Sequence, residues 1–310
     1  MKELTVLISI VLLFGGCAKN ETIIYGWPNN GDENNGNSNN TKNTLITFSA
    51  ALENRAITRA MSPMSKGIIS QVYAFKTTDS RLKEPTADGL YATASVGMLT
   101  GVKGYKMYLS NGAYNMYALS NNSSATPPTV NNGETTPLEN GIDYLWWENT
   151  QQDISTSQVH IPIVFQHVSA QVVLDLSAGT GITLDSLISA TILPPVSGAS
   201  LHLQIGIIDA ATEYDTTSFE MGINKFLAQA IILPLNIDTP MPLTLKILVN
   251  GETTPRSYTG NIPVPGKFAG GFSYVYSVVI DDNAVSFSDV NIKNWTEVDE
   301  TGKPVYPNQQ

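Results

Sequence analysis

From residue 45 onward, apolar and polar positions alternate with a period of two. Leu45 to Ala50 (LITFSA) puts Ile46 and Phe48 on one face, and Ser70 to Phe75 (SQVYAF) reads as a second strand. Lys106–Ser110 and Tyr114–Ser120 flank Asn111-Gly112, a pairing of signals that predicts a hairpin. Val159, Ile161, Ile163 and Phe165 alternate with His160, Pro162, Val164 and Gln166; Ala170, Val172, Leu174 and Leu176 alternate with Gln171, Val173 and Asp175. Leu201, Leu203 and Ile205 repeat the pattern around His202 and Gln204. Further strands are predicted at Ala228–Leu233, Leu243–Val249, Phe272–Ile280 and Val285–Ile292. No long apolar stripe of period 3.6 occurs, although Asp185–Ile192 could form a short helix. Short strands between turn-rich loops predict an all-β chain of antiparallel sandwiches. About 260 such residues fit two sandwiches of about 120 each better than one. The boundary is expected near Val159–Phe165, giving an N-terminal sandwich over 44–160 and a C-terminal one over 161–310.

Composition supports sheet. Apolar residues make up 42% and charged residues only 14%, whereas helix-rich chains carry more charge on their wet faces. The net charge of −10, without any basic run, disfavours nucleic acid as a partner.

The N-terminus reads as an address. Lys2 precedes an apolar stretch, Leu4–Phe14, too short to span a bilayer and of the length of a signal core, so residues 1–16 are expected to be a signal peptide. Small residues then precede Cys17, the only cysteine of the chain, where a bacterial lipobox places its lipidated thiol. Acyl chains add about 0.8 kcal/mol per buried methylene, so several anchor stably. Residues 17–43 would form the tether, since eight of the fifteen residues Asn29–Asn43 are Asn and cannot build a core.

Chemistry for catalysis is absent from the pattern. A single cysteine allows no intrachain disulfide, and His160, His167 and His202 lack metal-ligand spacing, so no metal and no cofactor is expected. The histidines are expected on solvated strand faces. Adjacent Trp146 and Trp147 should point to opposite faces of a strand, one into the core and one outward; a sugar-stacking platform is the functional alternative.

Several stretches together resemble the fimbrillin family of Bacteroidota, the subunits of type V pili: the lipobox at Cys17, ITFSA followed by Thr58-Arg59-Ala60, QVYAFKT, NGAYNMYALSN, IPIVFQHVSAQVVLDL, and FSYVYSVVIDD with VNIKNW ending at Trp295. The resemblance implies two transthyretin-like, antiparallel Greek-key β-sandwich domains in tandem. It also implies export to the outer membrane as a surface lipoprotein, arginine-specific cleavage, and donor-strand exchange with other fimbrillin subunits. The strand carrying Leu45, Ile46, Phe48 and Ala50 would be the one displaced. Its loss would open an apolar groove with unpaired edge amides, a poor monomer and a good receptor for strand addition.

The segment after that strand holds Arg55 and Arg59, two of only four arginines in the chain, and Arg59 is the favoured processing site with Arg55 second. Residues 1–59 carry five basic and five acidic groups, so cleavage leaves the net charge unchanged and strand exchange, not charge, must drive assembly. The tail TEVDETGKPVYPNQQ holds Pro304 and Pro307 and suits a donor strand poorly. That leans towards a minor or tip subunit with an adhesive role over a stalk subunit. The rival is a surface glycan-binding lipoprotein that keeps its lipid and uses Trp146 and Trp147.

Overall fold

The computed structural model describes residues 43–54, 60–288 and 290–295. The chain runs through β1 (Thr44–Asn54), β2 (Ala60–Pro63), β3 (Ile69–Lys76), β4 (Ala87–Ser95), β5 (Met98–Gly101), β6 (Met107–Leu109) and β7 (Gly112–Ser120). Then follow β8 (Val130–Asn131), β9 (Glu134–Thr135), β10 (Leu145–Ile154), β11 (Gln158–His167), β12 (Ala170–Ala178), β13 (Leu184–Ile192), β14 (Leu201–His202) and β15 (Ile207–Ile208). The last part holds β16 (Phe219–Glu220), β17 (Gly222–Asn224), β18 (Leu227–Ile232), β19 (Met241–Val249), β20 (Arg256–Ile262), β21 (Phe272–Ile280), β22 (Val285–Phe287) and β23 (Asn291–Asn294). Among the described residues the only helical element is a short 3-10 turn at Val102–Gly104, so the chain is nearly all β, as its period-two patterning predicts.

The first sheet has the order β11-β10-β7-β3-β4-β5-β1-β2, and β1 also pairs with β11 and β6, which curls the sheet into a barrel-like closure. Its interior holds Ile46, Phe48, Leu52, Tyr91, Met107, Met116, Ile161, Ile163 and Phe165. A second core lies between the sheet built on β12, β18 and β21 and the sheet built on β13, β19 and β20; Val172, Leu174, Leu245, Ile247 and Tyr276 meet there. A third cluster joins the outer face of the first sheet (Tyr73, Tyr117, Trp146) to Leu201, Leu203 and Leu233. There β14 pairs with β9 through His202 and Glu134, and Trp146 Nε1 donates to the Leu203 carbonyl at 2.7 Å.

Several expectations are corrected. The sheets are mixed, not purely antiparallel: β1 runs parallel to β11, and β12 parallel to β21. Long connections separate both pairs, so no hairpin dictates their direction. Asn111-Gly112 does turn the chain, but β6 and β7 do not form a hairpin: β6 pairs with β1, and β7 with β3 and β10. Only Gly112 has a positive φ, 149°, whereas the hairpin turn signalled by Asn-Gly requires positive φ at both residues. Asp185–Ile192 lies in a strand, β13, not a helix. The predicted 201–205 strand shrinks to Leu201–His202, and the 285–292 strand is two short strands, β22 and β23.

Candidate functional site: the first strand and its groove

Of the residues singled out in the sequence, Cys17, Arg55 and Arg59 lie outside the described residues; Leu45, Ile46, Phe48 and Ala50 all lie on β1. Strict alternation fixes what each does. Thr44, Ile46, Phe48, Ala50 and Leu52 are buried, while Leu45, Thr47, Ser49, Ala51 and Glu53 are half-buried on the other face. Ile46 and Phe48 are 2% and 1% exposed, so each contributes about 2–3 kcal/mol by burial.

The slot that holds β1 is walled on one side by β11, in parallel register from Leu45 opposite Gln158 to Leu52 opposite Phe165. On the other side it meets β6 at Thr44–Ile46, β5 at Phe48–Ser49 and β2 at Ala51–Asn54. Phe48 packs edge-on against Tyr91 at 5.0 Å between ring centroids, and Tyr91 packs against Tyr105 in turn. Burial, with the neighbouring Tyr105 second, pushes the Tyr91 hydroxyl far above the usual phenol range, so this wall stays neutral. Ala50 N–H donates to the Gly97 carbonyl at 2.9 Å, and the Ala50 carbonyl accepts from Met64 N–H at 3.1 Å. On the outer face both ring nitrogens of His160 lie within hydrogen-bonding distance of β1 hydroxyls, Thr47 Oγ1 at 3.2 Å and Ser49 Oγ at 3.1 Å. Thr44 Oγ1 also donates to the Thr156 carbonyl. β1 and β2 form an antiparallel pair whose connection is residues 55–59.

The other candidates resolve differently. Trp146 and Trp147 do point to opposite faces, but both are buried, Trp147 within the first sheet and Trp146 in the cluster beside Leu203; the pair presents no exposed stacking platform. His160 is exposed and His202 half-buried, but His167 is buried, correcting its expected place on a wet face. It stacks on Trp295 at 4.4 Å and its Nδ1 lies 2.8 Å from Asp143 Oδ1. The signal was present in the sequence: His167 shares the parity of Ile161, Ile163 and Phe165. Both rings line a cavity of about 460 Å³ with Phe268 and Leu235. Among the described residues no group of three or more His, Cys, Asp or Glu is placed to hold a metal ion.

Solved structures share this architecture. A candidate cell adhesion protein from Bacteroides uniformis superposes with a TM-score of 0.61 at 18% identity, covering 81% of this chain and 99% of its own. One from Bacteroides ovatus gives 0.61 at 16% identity, covering 84% and 99%. The tip fimbrial protein Mfa3 from Porphyromonas gingivalis, truncated at its C-terminus, gives 0.50 at 9% identity, covering 82% and 100%. At these identities the likeness is one of fold. No curated protein matches the chain. A family model described as fimbrillin-like matches residues 55–295, most of the folded body just described, and the chain therefore belongs to the fimbrillin-like family.

Proposed function

We propose that the chain is a structural subunit of a cell-surface fimbria, exported as a lipoprotein through Cys17 and assembled by strand replacement after arginine-specific cleavage at Arg59, or second best Arg55. The observation that carries this reading is the placement of β1. It fills the closing position of the first sheet with four buried side chains between Ile46 and Leu52, and it continues into β2 only through residues 55–59. A cut there turns departure of β1 from a local opening into a dissociation. What remains is an apolar slot flanked by the unpaired edges of β11, β5 and β6, which accepts a strand from another subunit. We read the body as two transthyretin-like sandwiches in series; the expected boundary at 160/161 falls inside β11, whose pairing runs to Phe165 with β1 and to His167 with β10, so we propose the junction after His167. Membership of the fimbrillin-like family and the fold shared with fimbrial and cell adhesion proteins support a fimbrial role over an enzymatic one. A tip or minor position with an adhesive role is our preferred place for it. The burial of Trp146 and Trp147 removes the stacking platform on which a glycan-binding role would rest.

The test is limited proteolysis of the purified precursor with an arginine-specific protease, followed by incubation with fimbrial subunits. Cleaved protein should lose the residue 17–59 segment and enter oligomers that resist dilution, and Arg55→Ala with Arg59→Ala should block the change. A cleaved protein that sheds the segment and still stays monomeric with those subunits defeats the reading.

A further inference from the structure

Resting on that reading, we infer that the slot of β1 selects its incoming strand by a four-position side-chain pattern, and that this pattern excludes every strand of residues 60–310 of a second, cleaved copy of the chain. The four inward positions differ in kind. Ile46, opposite Val159 and Met107, calls for an aliphatic side chain. Phe48, edge-on to Tyr91, calls for an aromatic ring. Ala50 is 3% exposed in a close-packed interior, with both its backbone groups tied down by Gly97 and Met64, so the position takes only a small apolar residue. Leu52, opposite Phe165, calls for an aliphatic one again. Between them, Thr47 and Ser49 meet the two nitrogens of His160, which favours hydroxyls. The pattern is aliphatic, aromatic, small, aliphatic at every second residue.

The remainder of the chain can be read against this slot. Between Ala60 and Gln310, an aliphatic residue two before an aromatic one occurs at Ile142/Tyr144, Leu145/Trp147, Ile163/Phe165 and Val285/Phe287. The residues that would then enter the Ala50 position are Trp146, Asn149, His167 and Asp289. None is small and apolar, and the pattern does not occur in the reverse direction either. The nearest match is instructive. Val285-Ser286-Phe287-Ser288 reproduces the character of Ile46-Thr47-Phe48-Ser49, hydroxyls included, and then Asp289 stands where Ala50 does and Asn291 where Leu52 does. A carboxylate forced into that apolar interior has no partner there, and burying an unpaired charge costs several kcal/mol. The chain therefore accepts a strand that no copy of itself between Ala60 and Gln310 supplies. Its occupant is a strand of a different polypeptide carrying the four-position pattern, so residues 60–310 of cleaved copies do not polymerise with one another.

The experiment uses the full precursor carrying Arg81→Lys, which keeps an arginine-specific protease away from the exposed Arg81, cleaved in the presence of excess fluorescently labelled peptide and read by anisotropy. A peptide of residues 45–53 should exchange into the slot. A peptide of residues 284–292 should bind more than about 100-fold more weakly. The 284–292 peptide with Asp289→Ala and Asn291→Leu should recover binding to within about tenfold of the 45–53 peptide. Equal binding of the unmodified 284–292 peptide, or self-assembly of the cleaved chain alone, overturns the selection rule while leaving strand replacement intact. Failure of even the 45–53 peptide to enter overturns strand replacement itself.

Discussion

Replacing Phe48 by Ala in the uncleaved precursor probes the energetics of the groove at its centre. The ring is 1% exposed and packs edge-on against Tyr91 at 5.0 Å. Truncating a fully buried Phe costs about 3–5 kcal/mol, the transfer and cavity contributions together. Because β1 is one strand of a closed sheet, the same loss bears on its local release. Each 1.4 kcal/mol being tenfold, release should become about 100- to 5,000-fold more frequent. Two assays read the two consequences. Urea unfolding followed by tryptophan emission, with Trp147 buried in the same interior, reports the stability loss. Amide hydrogen exchange of β1 and its partner β11 reports release. Ser49→Ala is the control: its hydroxyl meets only the exposed His160, so stability should move by less than about 0.5 kcal/mol. A Phe48→Ala loss below about 1 kcal/mol, or unchanged exchange along β11, would refute the claim that this side chain holds the strand in place.

Other consequences are separable. Cys17→Ala should abolish palmitate labelling in cells; labelling equal to wild type contradicts lipidation at that residue. Gly206→Ala should destabilise by several kcal/mol in thermal unfolding, because φ there is +65° and an added Cβ would sit 2.4 Å from the Trp146 ring. Trp146→Phe should cost about 1–3 kcal/mol by leaving the buried Leu203 carbonyl without its indole donor at 2.7 Å. At alkaline pH, burial raises the hydroxyls of Tyr73, Tyr91 and Tyr276, and that of Tyr214 to about 12. The folded state therefore keeps protons that the unfolded chain releases above about pH 10, so this stabilisation is complete below pH 10 and is lost as pH rises through the folded values. Phenolate absorbance should appear together with unfolding; free titration of these groups in the folded protein contradicts their burial.

Strand identity was legible wherever alternation was unbroken. Phe272–Ile280 coincides with β21, and the parity of Ile46 and Phe48 gives the buried face of β1 directly. The Asp185–Ile192 segment misled for a physical reason. Register shifts between Leu184 and Ser186 and again between Leu187 and Ser189 reset the parity, so that Leu187 and Ala190, three residues apart, are both buried, a spacing that mimics a helical turn. Pairing was not legible even between sequence neighbours, because the one hairpin predicted, at Asn111-Gly112, does not form. Nothing local announces that β1 lies parallel to β11 more than a hundred residues away, or that β6 leaves β7 to join β1. Trp146 and Trp147 show the same limit. Alternation gives opposite faces, but whether the outer face is wet depends on the Leu201–Ile208 hairpin that covers it.

The account stands most directly on the N-terminal sequence of the protein recovered from fimbriae sheared off the cell surface. A chain beginning at Ala60, or at Ala56 if Arg55 is used, has lost Ile46 and Phe48 and must hold a strand from elsewhere in its place. A chain still beginning at a lipid-bearing Cys17 retains β1, and contradicts assembly by its replacement.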